Sequence, residues 1–154
     1  QPSKKENNVE YAANPKAGFD YEILETIEAG LVLEGHEVKS IKTGKASIKG
    51  SYVKILDNIP YLIGANISPY QVANTPKDYD PQRSRKILLS KKEISTLVGT
   101  SQSHGLTLVP LKIYDKKGRL KLLVGIARGK KKYDKREKIK KKDIERAKQR
   151  GEEY

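Results

Sequence analysis

Along most of the chain apolar residues alternate with polar ones in short runs, the period of strands rather than of long helices. The first run covers Phe19 to Ile27, where the alternation is imperfect and ends at Ala29-Gly30. Leu31, Val32 and Leu33 make a short apolar stretch ahead of Gly35, and Val38 with Ile41 suits one face of a short helix closing at Gly44. Ser51 to Leu56 and Pro60 to Asn66 flank Asp57-Asn58, which predicts a hairpin with a tight turn. From Ile67 to Gln82 the residues Pro69, Pro76 and Pro81 stand among Asn74, Asp78 and Asp80, so this stretch is read as an ordered loop. Arg83 to Leu89 follows as a strand, and Ser90-Lys91-Lys92-Glu93 has capping-box spacing ahead of a helix through about Thr100. Two further strands, Leu106 to Tyr114 and Leu120 to Ala127, are separated by Asp115 to Arg119, where Gly118 supplies a positive φ.

A series of short strands with no strand-helix alternation predicts a mainly β chain, a small antiparallel barrel or sandwich rather than a doubly wound parallel sheet. Among small barrels an OB-like arrangement with flanking short helices presents a strand face and loops to oligonucleotides. At 154 residues one folded body is expected. The reading divides it into a flexible N-terminus over 1–13, a barrel over 14–127 and a basic tail over 128–154.

Charge sharpens that picture. Lys and Arg number 32 against 19 Asp and Glu, a formal +13, which points to a polyanionic partner and first to nucleic acid. Residues 1–127 hold 19 basic and 13 acidic side chains, net +6, whereas 128–154 hold 13 and 6, net +7. The tail's apolar material is chiefly Tyr133, Ile139, Ile144, Ala147 and Tyr154, too little to offset an ordering cost of about 1–2 kcal/mol per residue. It is therefore expected to be disordered when free, with a nascent helix over Lys135 to Arg150, and to order against a surface that neutralises it. There is no Cys for disulfides or thiolate sites, no run of apolar residues long enough for a membrane span, and Gln1 to Asn14 is polar. A soluble, cytoplasmic protein is the expectation.

Catalytic chemistry finds little purchase. His36 and His104 are far apart and in no metal or nucleophile-base spacing, and neither Gly44-Lys45 nor Gly129-Lys130 sits in a phosphate-loop pattern. The carboxylate pairs Asp78 with Asp80 and Glu34 with Glu37 are read as solvated acids, so no metal or cofactor is assigned. Three basic clusters are the candidate RNA contacts: Arg128 with Lys130, Lys131 and Lys132; Arg83, Arg85 and Lys86 with Lys91 and Lys92; and Arg119 with Lys121. Beyond the first of these, Tyr133 can stack on a base.

Several ordered blocks now carry a resemblance. Asn14-Pro15-Lys16-Ala17 before Phe19-Asp20-Tyr21, Glu28 to Leu31 running on to Glu37-Val38-Lys39-Ser40-Ile41, Ser51-Tyr52-Val53, and Gly64 to Tyr70 come first. Asp80-Pro81 to Leu89, Leu106 to Lys112, and Gly129-Lys130-Lys131 to Asp134-Lys135-Arg136 complete them. Together they resemble the bacterial SsrA-binding protein (small protein B) family from about Tyr11 to Arg150. Tyr79 stands where many members have His, and Ser90 where His or Asn is common. The resemblance implies an OB-like barrel that binds the tRNA-like domain of transfer-messenger RNA. It implies delivery of that RNA, with elongation factor Tu, to the decoding region and message channel of stalled ribosomes, by a monomeric adaptor without catalysis. By position, Asn14 beside Lys16, Glu28, Leu88 and Lys121 fall on the family's RNA-binding face. Gly129, Tyr133, Asp134, Lys135 and Arg136, followed by Ile139, Lys140, Lys141 and Lys142, fall in the ribosome-engaging tail. Near RNA, Glu28 must accept from a base amino group or order a neighbouring cation. A ribosomal or general RNA-binding OB protein is the alternative, and an RNA-processing enzyme would need a cluster of acids or His around the Pro-rich loop.

Overall fold

Two tight turns set the register of the sheet. Asp57 and Asn58 both take positive φ (51° and 60°), so Leu56 pairs with Ile59 across a two-residue turn whose twist matches the flanking strands. Lys117 and Gly118 repeat the device at 52° and 81°, joining Lys116 to Arg119. The structure is a computed structural model that describes residues 9–71, 73, 75–102 and 105–129.

In chain order the elements are β1 (Glu10–Ala13), α1 (Pro15–Asp20), β2 (Tyr21–Leu31), α2 (Gly35–Lys42), β3 (Ala46–Ser47) and β4 (Tyr52–Leu56). Then come β5 (Ile59–Ile63), β6 (Asn66–Ile67), β7 (Arg85–Leu88), α3 (Lys91–Gln102), β8 (Leu106–Lys116) and β9 (Arg119–Gly129). Seven strands form one antiparallel sheet in the order β1-β8-β9-β2-β7-β5-β4, and β3 pairs with β6 in a small second sheet. The mainly β, OB-like architecture with short helices is thus as the sequence predicts.

Inside the curled sheet Ile41 of α2, Leu62, Ile87, Ile113, Leu122 and Val124 of four strands, and Leu97 of α3 are buried to 1% exposure or less. Fully burying such a side chain is worth about 1.5–3 kcal/mol, so these residues carry most of the drive to fold. A smaller cluster of Ala17, Val109 and Ala127 seats α1 on the sheet.

The capping box forms as read: Glu93 N donates to Ser90 Oγ at 3.2 Å, and Ser90 N donates to Glu93 Oε1 at 3.1 Å. Helix α2 ends as predicted at Gly44, whose φ of 81° lets Gly44 N donate to Ile41 O and Lys45 N donate to Ser40 O, both at 3.0 Å.

Other expectations shift. Phe19 and Asp20 close helix α1, and β2 runs from Tyr21 through Leu31. Its uneven alternation has a cause: Ile23 pairs with Ala127 but Glu25 with Ile126, so Leu24 is an extra residue, bulged and 45% exposed. Pro110 is tolerated within β8 for the same reason, since Leu111 is bulged between the Pro110 and Lys112 pairings. The N-terminus is not flexible through residue 13, because Glu10–Ala13 pair with β8. Strand β9 also continues past Ala127, with Arg128 opposite Glu22 and Gly129 opposite Tyr21.

Candidate nucleic-acid interface

One rung crosses four strands: Tyr114 pairs with Lys121, Lys121 with Gly30, and Gly30 with Leu88. Paired residues in an antiparallel sheet share a face, so Lys121 and Leu88 project outward on either side of a glycine that has no side chain. A Cβ on Gly30 would stand 3.4 Å from Leu88 Cβ, so the glycine leaves a notch beside the half-exposed leucine. That notch opens into a groove of about 340 Å3, floored by Leu31, Leu33 and Val38 and rimmed by Lys42, Leu88, Arg119 and Lys121. The neighbouring rung places Lys86 opposite Tyr61 and Tyr61 opposite Lys54, extending the same basic, partly aromatic face.

Three carboxylates sort the cations of this region into paired and unpaired. Glu28, on the outward face of β2, accepts a short hydrogen bond from the Tyr114 hydroxyl and pairs with Lys116 at 3.3 Å. The Tyr114 hydroxyl is the main reason its carboxyl is held below the usual range, with Lys116 and the charge of Lys121 adding to it. Of the two roles open to Glu28, ordering a neighbouring cation is therefore the one its contacts support. Among the described residues Lys86, Arg119 and Lys121 form no salt bridge, whereas Lys112 pairs with Glu10 at 2.8 Å and Arg128 with Glu22 at 3.3 Å. Unpaired outward cations are the ones available to phosphate.

Arg85 corrects the sequence reading. Burial alternates along β7, so Arg85 and Ile87 point inward while Lys86 and Leu88 point out. Arg85 and Glu37 are both 0% exposed, with Arg85 Nη2 at 2.7 Å from Glu37 Oε2. Arg85 Nε donates to the same Glu37 oxygen at 3.1 Å, while Nη1 donates to Ala65 O and Arg83 O and Nη2 also to Tyr79 Oη and Pro81 O, at 2.9–3.1 Å. Arg83 also grips Glu37, through Nε at 3.0 Å and Nη2 at 2.5 Å, and Tyr79 Oη donates to Glu37 Oε2 at 3.0 Å. Burial alone would raise Glu37, yet hydrogen bonds from Arg83, the Glu34 N–H and Arg85 outweigh it and bring the carboxyl down to about 2. Burial and the adjacent Glu37 push the Tyr79 hydroxyl up to about 12. Arg85 is thus excluded from RNA, Arg83 is largely committed to this cluster, and Glu37 is not the solvated acid the sequence suggests. The signal for Glu37 is its place one turn before Ile41 on the buried stripe of α2.

The remaining expected residues are dispersed. Asn14 donates from N to Leu111 O at 2.9 Å and from Nδ2 to Pro110 O at 3.2 Å, fastening the β8 bulge. With Lys16 it lines a second groove of about 330 Å3 beside Tyr21 and Tyr52, which does not include Leu88 or Lys121. Lys91 and Lys92 open α3, away from both grooves, with Lys91 beside Asn58 and Ile94. Gly129 ends β9, while His104, Lys130, Lys131, Lys132, Tyr133, Asp134, Lys135, Arg136, Ile139, Lys140, Lys141 and Lys142 lie outside the described residues. Lys42 and Tyr114 were not singled out from sequence. The three-residue spacing of Lys39 and Lys42 on the polar face of α2 was the available signal for the first. Among the described residues no group of His, Asp and Glu is placed to hold a metal, and no helix is long and apolar enough to cross a membrane.

Comparison with known proteins agrees with this geometry. The family model described as SmpB protein matches residues 11–153. The SsrA-binding protein of Enterococcus faecalis is 48% identical over 135 residues, covering 88% of this chain and 87% of that protein. The SsrA-binding protein of Bacillus pumilus is 52% identical, covering 86% and 85%. A solved structure described as "tmRNA-SmpB: a journey to the center of the bacterial ribosome" superposes with a TM-score of 0.63 at 48% identity, covering 78% of this chain and 84% of that one. A match that runs through the β2, β7 and β9 segments building the groove, and across nearly the whole chain, places it in the SmpB protein family.

Proposed function

We propose that this chain is the RNA-binding adaptor of trans-translation, holding the tRNA-like domain of transfer-messenger RNA on its Leu88-Gly30-Lys121 face and bringing it to stalled ribosomes. The observation that carries the reading is the glycine notch between Leu88 and the unpaired Lys121, with Arg119 on the rim of the same groove, in a member of the SmpB protein family. Lys121 and Arg119 meet phosphates, the half-exposed Leu88 lies against sugar or base, and Glu28 holds Lys116 in register beside them. The shape of a folded RNA is read by such a rigid face without base pairing and without chemistry on the RNA. Residues 128–154, net +7, engage the vacant message channel, whose phosphates neutralise them. Elongation factor Tu joins through the RNA complex, and the protein works as a cytoplasmic monomer.

Competition binding at fixed salt tests this. The full chain should prefer a tRNA-like domain RNA to random duplex of equal length by a large factor, and Lys121→Ala should erode that preference. Equal avidity for both RNAs would overturn the reading in favour of a general RNA-binding protein.

A further inference from the structure

The groove does not end at the strand face. Lys42, on its rim, belongs to α2, and the helix exposes Lys39 one turn back and Lys45 just beyond its end. We infer that the RNA backbone leaves the strand face over Lys42 and continues along a cationic ridge of Lys42, Lys39 and Lys45, held in place by Tyr70. The inference rests on the proposed function and adds a second contact surface to it.

Three observations support the ridge. First, among the described residues none of the three ammonium groups forms a salt bridge, because the buried acid of α2, Glu37, is consumed by Arg83 and Arg85. Second, the ridge is preorganised. Gly44 turns the chain so that Lys45 N bonds back to Ser40 O at 3.0 Å, Ser68 N donates to Lys45 O at 3.1 Å, and Ser40 Oγ donates to Ser68 O at 2.5 Å. Those bonds seat Tyr70 two residues on, with the Lys39 and Lys45 ammonium groups 6.0 and 5.7 Å from its ring centroid. Lys45 Nζ also donates to Tyr70 O at 3.4 Å. Third, a shallow groove of about 270 Å3 bounded by His36, Lys39, Tyr70 and Thr75 runs on beyond the ridge, so a phosphate chain is not blocked there. Two lysines drawn to one ring lose less freedom on meeting phosphate than two free ones would.

The test uses the full chain, a fluorescent tRNA-like domain RNA and a salt series. Lys39→Ala/Lys42→Ala/Lys45→Ala should bind about tenfold or more weakly at 0.1 M salt, with the slope of log K against log salt shallower by roughly two to three. Its melting temperature should match wild type, since the three side chains are exposed. Lys42→Gln alone should reduce the slope by about one. Tyr70→Phe should bind as wild type, whereas Tyr70→Ala should lose affinity by about two- to threefold. A triple variant with wild-type affinity and slope, alongside an impaired Lys121→Ala, overturns the ridge and leaves the strand face standing. So does a triple variant that keeps RNA affinity and loses only ribosome binding. If the wild-type chain itself shows no preference for the tRNA-like RNA, the proposed function falls and the ridge with it.

Discussion

Arg85 and Lys86 are neighbours in β7 with the same charge, and the pleat of one strand sends them into opposite worlds. Arg85 is sealed at 0% exposure against Glu37, spending every guanidinium donor on the loop and α2, while Lys86 stands in solvent two residues from Leu88 on the outward face. The first is a clamp: it ties α2 to the Pro81 carbonyl, to the Ala65 carbonyl and, through Tyr79, to the Ile67 carbonyl. The second is left outward and without a salt bridge, available to a partner. A basic residue's charge therefore says little about its task until its carboxylates are located, since a buried guanidinium is costly to leave unpaired and an exposed ammonium costs little.

The largest effect expected from breaking this contrast lies on the clamp. Glu37→Gln or Arg85→Ala should cost roughly 3–5 kcal/mol in chemical unfolding, by stranding a buried partner charge. RNA affinity per folded molecule should fall far less in comparison. The same cluster predicts an acid sensitivity. Glu37 titrates near 2 when folded against an ordinary 4.5, so its contribution is complete above pH 4.5 and is lost as pH falls from there toward 2. In Glu37→Gln that part of the pH dependence of unfolding should vanish; an unchanged acid profile would show that other groups carry it. On the outward face the signs invert: Lys121→Ala should weaken binding to the tRNA-like RNA about tenfold or more while shifting stability by less than about 0.5 kcal/mol. Filling the notch with Gly30→Val should weaken binding through shape alone, with the salt slope unchanged because no cation is lost. The smallest effect belongs to Glu28→Gln, which keeps an acceptor for Tyr114 but releases Lys116, at a cost below about 1 kcal/mol in thermal unfolding.

The hairpin turns, the Ser90 to Glu93 cap and the Gly44 stop were legible because each is a local bargain among residues a few positions apart. The bulges at Leu24 and Leu111 were not, since they are defined by the partner strand β9 rather than by their own. Parity along Arg83 to Leu89 was ambiguous in a specific way: one face pairs Arg85 with Ile87 and the other Lys86 with Leu88, so each offers a cation and an aliphatic residue. What decides between them is Glu37, 48 positions upstream, which no local pattern reveals. The strand-face site was partly legible, for Leu88, Lys121 and Glu28 do gather on connected outward positions, whereas Asn14 and Lys16 occupy a different groove. Lys42 stayed hidden because its helix reaches the groove only through tertiary packing.

Strand β9 begins at the groove with Arg119 and Lys121 and is still paired to β2 at Gly129. At about 3.3 Å per residue the eight steps from Lys121 to Gly129 amount to a ruler of at most about 26 Å. Its stiffness comes from pairing on both sides, to β8 and β2, over most of that length. A transcript gripped at one end would thus fix, within a narrow tolerance, where Gly129 stands, and lengthening this single strand would retune that distance.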